Sequence, residues 1–150
     1  PPDRATPLGP GARLHAAGRR VDARHGEIMV WSWDRPATVR GAGPDLTLPV
    51  SAGERLLGTV RPLRGDDRGV LHILVERLTP GAAVMVEVAV ERFAARDGRP
   101  LGQTAWDVAD IAPINHPVAV TPSGALVVMA ALPEGLAVWH LAPVSAGGAR

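Results

Sequence analysis

Apolar and polar residues alternate with a period of two along much of this chain. The clearest case is Val84, Val86, Val88 and Val90 on one side, with Met85, Glu87, Ala89 and Glu91 on the other. Four β-branched residues at that spacing predict a half-buried strand, although part of 82–96 is the one stretch that could also carry a helical stripe. The run ends at Arg96-Asp97-Gly98-Arg99, and Asp-Gly is the residue pair of a tight hairpin turn. A return strand is therefore expected over about Leu101 to Val108.

The same reading predicts strands over Glu27–Trp33, Asp45–Val50, Arg55–Leu63, Val70–Arg77, Pro117–Thr121, Ala125–Leu132 and Leu136–Val144. Within Val70–Arg77, Leu71, Ile73 and Val75 oppose His72 and Leu74, so both faces are apolar and the strand is expected at the centre of its sheet. Turn residues separate the segments: Arg64 to Gly69, Thr79-Pro80-Gly81, Pro122-Ser123-Gly124 and Pro133-Glu134-Gly135. Strands at this spacing, with 15 prolines spread among them, predict one all-β domain. The expected architecture is a β-sandwich or jelly-roll of about eight to ten short antiparallel strands. Residues 1–11 read as an extended Pro/Gly-rich arm, 12–144 as the domain, and 145–150 as a flexible tail.

Composition narrows the function classes. The chain has 150 residues, 46% hydrophobic and 21% charged, which excludes a disordered polymer, and no apolar run reaches membrane-spanning length. All 16 basic residues are arginine, yet the net charge is only +1, so charge does not point to a polyanion partner. There is no cysteine, which removes disulfides, thiol chemistry and the commonest zinc sites. The opening Pro1-Pro2-Asp3-Arg4 lacks the basic cap and apolar stretch of a signal peptide. An extracytoplasmic, cell-surface or virion setting is the expectation for a module of this kind.

Catalytic constellations are sparse. None of Ser32, Ser51, Ser123 and Ser145 sits in a Gly-x-Ser-x-Gly elbow. Gly41-Ala42-Gly43 lacks the third glycine and the helix of a phosphate-binding loop. Asp66 and Asp67 adjoin Arg64 and Arg68, so solvation or pairing with arginine is expected of them rather than acid–base work. Arg64-Gly65-Asp66 also spells an integrin-type tripeptide, short enough to arise by chance.

Three sets of residues remain as candidate sites. Arg13, Arg19, Arg20 and Arg24 face a single acid, Asp22, and make residues 12–26 the most basic stretch. Trp31 and Trp33, two apart on one strand, are candidate core residues or interface anchors. His15, His25, His72, His116 and His140 are scattered as metal ligands in a sandwich often are, with Met29 and Met85 as further copper ligands. His72 and His140 lie in apolar strands, where a hydrogen-bonded core or interface histidine is the simpler expectation.

Gly69-Val70-Leu71-His72-Ile73-Leu74-Val75, followed by Pro80-Gly81 and the valine strand, resembles part of the cupredoxin-like periplasmic copper chaperones. Their His-x-Met is here His72-Ile73-Leu74, and the His-x-His of the copper/zinc superoxide dismutases is missing, so membership of neither family follows.

The expected function is that of a non-enzymatic structural or interaction protein. It would be a subunit of a surface, virion or cell-envelope assembly that holds protein neighbours through its arm and edge strands. It would need no cofactor and bind no nucleic acid. The alternatives are an extracytoplasmic copper- or zinc-binding protein using the histidines, and a carbohydrate-binding module built on Trp31 and Trp33.

Overall fold

The structure, a computed structural model, describes residues 4–9, 12–17, 20–25, 28–33, 36–40, 45–49, 51–53, 55–79, 85–108, 118–132 and 134–143. Among them are fourteen strands, numbered in chain order, and no helix. No helix is therefore long and apolar enough to cross a membrane among the described residues.

The central sheet has five strands in the order β11 (Pro100–Val108), β10 (Met85–Ala94), β9 (Val70–Thr79), β8 (Arg55–Gly65) and β7 (Ser51–Ala52). Every neighbouring pair is antiparallel. Strand β9 is its middle member, and every residue from Leu71 to Arg77 is buried. Successive side chains of a strand point to opposite faces, so β9 supplies two cores. Leu71, Ile73 and Val75 join Leu57 of β8 with Ala37 and Val39 of β5 (Ala37–Arg40) and Leu46 and Leu48 of β6 (Leu46–Leu48). On the other face Leu74 joins Val86, Val88 and Val90 with Val118 and Val120 of β12 (Val118–Val120) and Leu126 of β13 (Leu126–Leu132).

These two cores attach an outer layer to each side. Strands β5 and β6 belong to a four-stranded sheet in the order β1 (Arg4–Gly9), β2 (Ala12–Ala17), β5, β6. Strands β12 and β13 belong to a three-stranded sheet that ends on β14 (Gly135–Leu141). A further hairpin, β3 (Arg20–His25) with β4 (Ile28–Trp33), completes the strand set, and β1, β2 and β4 approach β8. The sandwich expected from the strand spacing is thus present as sheets on both faces of a central one.

The expected turn at Asp97-Gly98 is formed. Gly98 has φ +71°, its N–H donates to the Ala94 carbonyl at 2.8 Å, and the Ala94 N–H donates to the Arg99 carbonyl at 2.9 Å. A positive φ there suits glycine, which has no Cβ to clash. Asp97 accepts from the Arg99 N–H at 3.0 Å and closes the turn.

All nine strands read from alternation are present, whereas the expected total of eight to ten is too low. The additional strands are β1, β2, β3, β5 and β7. Their sequences RATPLG, ARLHAA, RVDARH, ATVR and SA are short or rich in Ala and Arg, and they lack a run of β-branched residues. Segment 4–9, which carries one proline, Pro7, is a paired strand, Arg4 with Ala16 and Thr6 with Leu14. Val84, the turn at 80–81 and the tail from 145 lie outside the described residues.

The layering makes a direct prediction. Ile73→Ala and Leu74→Ala each lower stability by about 2–5 kcal/mol in urea unfolding, because each empties a different core. The double substitution is additive within about 0.5 kcal/mol, since the neighbours point into separate layers. A strong coupling between them would mean one shared core.

Candidate functional site

Two places stand out from the fold: a buried ionic cluster at one end of β9, and the exposed sheet that ends on β14. The first is built on the β8–β9 turn. Asp66 follows the last residue of β8, and its carboxylate is wholly buried. One oxygen, Oδ1, accepts from the N–H groups of Arg68 (2.9 Å) and Val70 (3.1 Å). The other, Oδ2, accepts from Nη2 of Arg68 (3.0 Å) and lies 3.1 Å from Nε2 of His72. An aspartate bonding N–H groups two and four residues ahead holds this turn, as short acidic side chains do.

His72 is fully buried, and its register partners are Arg64 on β8 and Arg92 on β10. Arg92 is 5% exposed and donates through Nη2 to the Thr104 hydroxyl on β11. Burial, with the nearby Arg92 and Arg68 charges, pulls the His72 pKa below its ordinary 6.5, and Asp66 only partly opposes this. Burial alone would raise Asp66. The bonds from His72, Val70 and Arg68 outweigh it, and the carboxyl is held below its ordinary 3.8. Arg92 is likewise lowered, by burial and then by the Arg68 charge. An ionised Asp66 requires the proton of neutral His72 on Nε2, leaving Nδ1 as an acceptor without a partner among the described residues.

The cluster also ties two layers together. The Asp67 N–H donates to the Pro122 carbonyl at 2.9 Å, which docks this turn on the β12–β13 turn. There Gly124 has φ +84°, and a Cβ at that position would stand 2.2 Å from Arg68 Nη2 and 2.3 Å from Asp66 Oδ2. Only glycine lets that backbone close over the ion pair. The neighbouring Thr121 hydroxyl accepts from the Ala125 N–H at 3.0 Å and lies 3.0 Å from the Ser123 hydroxyl.

An aspartate–histidine pair is the orienting half of a hydrolytic triad. Here the imidazole is sealed from solvent and its bond to Asp66 serves the turn. Arg64-Gly65-Asp66 is likewise no displayed recognition loop, because the Asp66 side chain has no exposure. Among the described residues no three of His, Asp and Glu gather as a metal site would require.

The second place is the outer layer of β12, β13 and β14. Between Pro117 and Ala149 the sequence holds one formal charge, Glu134. Register pairs Val127 with His140, Val128 with Trp139 and Met129 with Val138. Leu126, Val128 and Leu141 therefore face the central sheet, which they help to cover. The opposite face presents Ala119, Met129, Leu136, Val138 and His140 to solvent. Leu136 is 68% exposed, Val138 58% and Met129 37%, and Trp139 on the inward side is 44% exposed near the sheet edge. Among the described residues β14 has a strand neighbour on one side only.

The other candidate residues fall elsewhere. Arg13 and His15 lie in β2, Arg20, Arg24 and His25 in β3, and Trp31 and Trp33 in β4. The β3–β4 ladder pairs Arg20 with Trp33 and Arg24 with Met29, so one hairpin unites the basic stretch and the tryptophan strand. Arg19 and His116 lie outside the described residues. His72 and His140 are separated by character: one is sealed in the core, the other exposed on an edge. Sequence reasoning missed the outer face of β12–β14, although the single charge between Pro117 and Ala149 was a visible signal.

No family model, curated protein or solved structure matches this chain. Its class therefore rests on its own geometry: an all-β, sandwich-like domain with a charge-free outer sheet.

Two outcomes test the cluster. Gly124→Ala lowers stability by roughly 2–4 kcal/mol in urea unfolding, from strain and the displaced ion pair together. Because the folded state holds His72 neutral, the unfolded chain takes up that proton first. The contribution is whole above the ordinary histidine value and is lost as pH falls below it; Asp66 adds a second loss below its own range. Stability measured from pH 7.5 to 5 falls by up to about 1.4 kcal/mol per pH unit from this histidine, and His72→Gln flattens that slope.

Proposed function

We propose that this chain is a non-enzymatic interaction protein, a subunit that docks a protein neighbour on the outer sheet of β12, β13 and β14. The observation that carries the reading is the exposure of Leu136, Val138 and Met129 together on a face without formal charge. Soluble domains ordinarily intersperse both signs of charge over their surface, and a contiguous apolar patch marks an interaction site. Among the described residues β14 is also an apolar edge strand, whose outward N–H and C=O groups a neighbouring chain can satisfy. The buried Asp66–His72 pair supports the non-enzymatic part, because its hydrogen bonds are committed to holding a turn. The basic hairpin containing Arg20 and Arg24, together with Arg13, is a second contact region in the same reading.

A photo-crosslinking amino acid at Val138, expressed in the source cells, is expected to yield one discrete protein adduct of defined mass. Leu136→Glu combined with Met129→Glu is expected to reduce that adduct by at least about tenfold, the effect of about 1.4 kcal/mol. The substituted chain should keep its strand circular dichroism, because both residues face water. Absence of any adduct, or an adduct indifferent to the two charges, would overturn the proposal.

A further inference from the structure

We infer that the neighbour of β14 is β14 of a second copy, paired antiparallel about a two-fold axis through Val138; this rests on the docking reading above. A closed pair of identical chains needs a surface complementary to itself, and β14 has this property in its register. A two-fold axis perpendicular to the sheet keeps each face on its own side. The residues brought opposite one another must therefore be separated by an even number of positions.

The strand runs from Gly135 to Leu141, so only an axis through its middle residue, Val138, pairs all seven positions. In that register Ala137 meets Trp139, Gly135 meets Leu141, Leu136 meets His140, and Val138 meets itself. On the inward side each large residue lies opposite a small one, so the half-exposed Trp139 gains room over Ala137 of the other copy. An axis through Trp139 would instead set two indoles against each other and leave Gly135 and Leu136 unpaired.

Charge points the same way. No Asp, Glu, Lys or Arg lies within β14, so two copies meet without repulsion and without the charged guards that blunt natural edges. The one nearby acid, Glu134, falls opposite Ala142 in this register and does not meet its own copy. Pro143 follows and ends the pairing, since it has no N–H to donate. The product is a six-stranded sheet in which Leu136, Val138 and Met129 of both copies form one continuous apolar band.

The chain has no native cysteine, so one substitution is a clean reporter. In the full-length protein Val138→Cys places two Cα atoms about 5 Å apart across the axis, within disulfide reach. Leu136→Cys places its copies about 13 Å apart along the strands, beyond that reach. Mild oxidation of Val138→Cys is expected to give a disulfide dimer at least about tenfold faster than Leu136→Cys. A mixture of Leu136→Cys and His140→Cys is expected to form the mixed dimer. In parallel, sedimentation velocity of the unsubstituted chain should show a dimer that Val138→Lys abolishes while circular dichroism stays unchanged.

Equal oxidation rates at 136 and 138, or a chain that sediments as a monomer over the whole concentration series, would overturn the inference. If the purified chain is monomeric while Val138 cross-links to a different protein in cells, self-pairing fails and the docking reading stands. If both are absent, both fail.

Discussion

Burial of a β-strand on both faces obliges it to carry apolar side chains at successive positions, and the whole of this architecture follows from β9 meeting that demand. Leu71, Ile73 and Val75 fill one core, and Leu74 fills the other with the valines of β10. Two outer sheets can attach only because this strand and its neighbours offer an apolar surface each way. Where polar groups enter the central sheet they are held by partners. Arg77 pairs with Glu91, Arg55 with Glu87, and His72 with Asp66.

The last of these pairs does more than satisfy buried atoms. Asp66 accepts four hydrogen bonds, two from the backbone of its own turn, one from an arginine side chain and one from the central strand. Because Gly124 closes over the same carboxylate, the β8–β9 turn and the β12–β13 turn are held as one unit. That junction fixes the outer sheet at one end, while among the described residues the β14 edge at its margin has no strand neighbour. The outer sheet is thus held by the apolar core beneath it and pinned at one end by a polar cluster. Breaking a buried ion pair by removing one partner is costly, which keeps such an anchor from drifting.

Much of the central and C-terminal fold was legible along the chain. Period-two runs of valine, leucine and isoleucine marked β8 to β14, and Asp97-Gly98 marked the β10–β11 turn. The two-faced character of Val70–Arg77 announced a central strand before any partner was known. In the N-terminal part β4 and β6 were legible too, but β2 and β3 were not, because ARLHAA and RVDARH carry few β-branched residues and owe their form to pairing with neighbours. The candidate site was read less well. The five histidines looked equivalent in sequence, whereas His72 is sealed against Asp66 and His140 stands exposed on an edge strand.

What the sequence determined by itself is local: which segments alternate, where glycine and proline break them, and where charge is absent. Those are properties of neighbouring residues, and a strand's periodicity records them directly. What only the tertiary structure decided is which apolar face is covered. Leu126 and Leu136 read alike in their strands, yet one is buried against the central sheet and the other is 68% exposed. Alternation tells that a strand has two faces, but an apolar side chain is hidden only if another layer arrives to meet it. Here the layers number enough to cover both faces of β9 and only one face of β14.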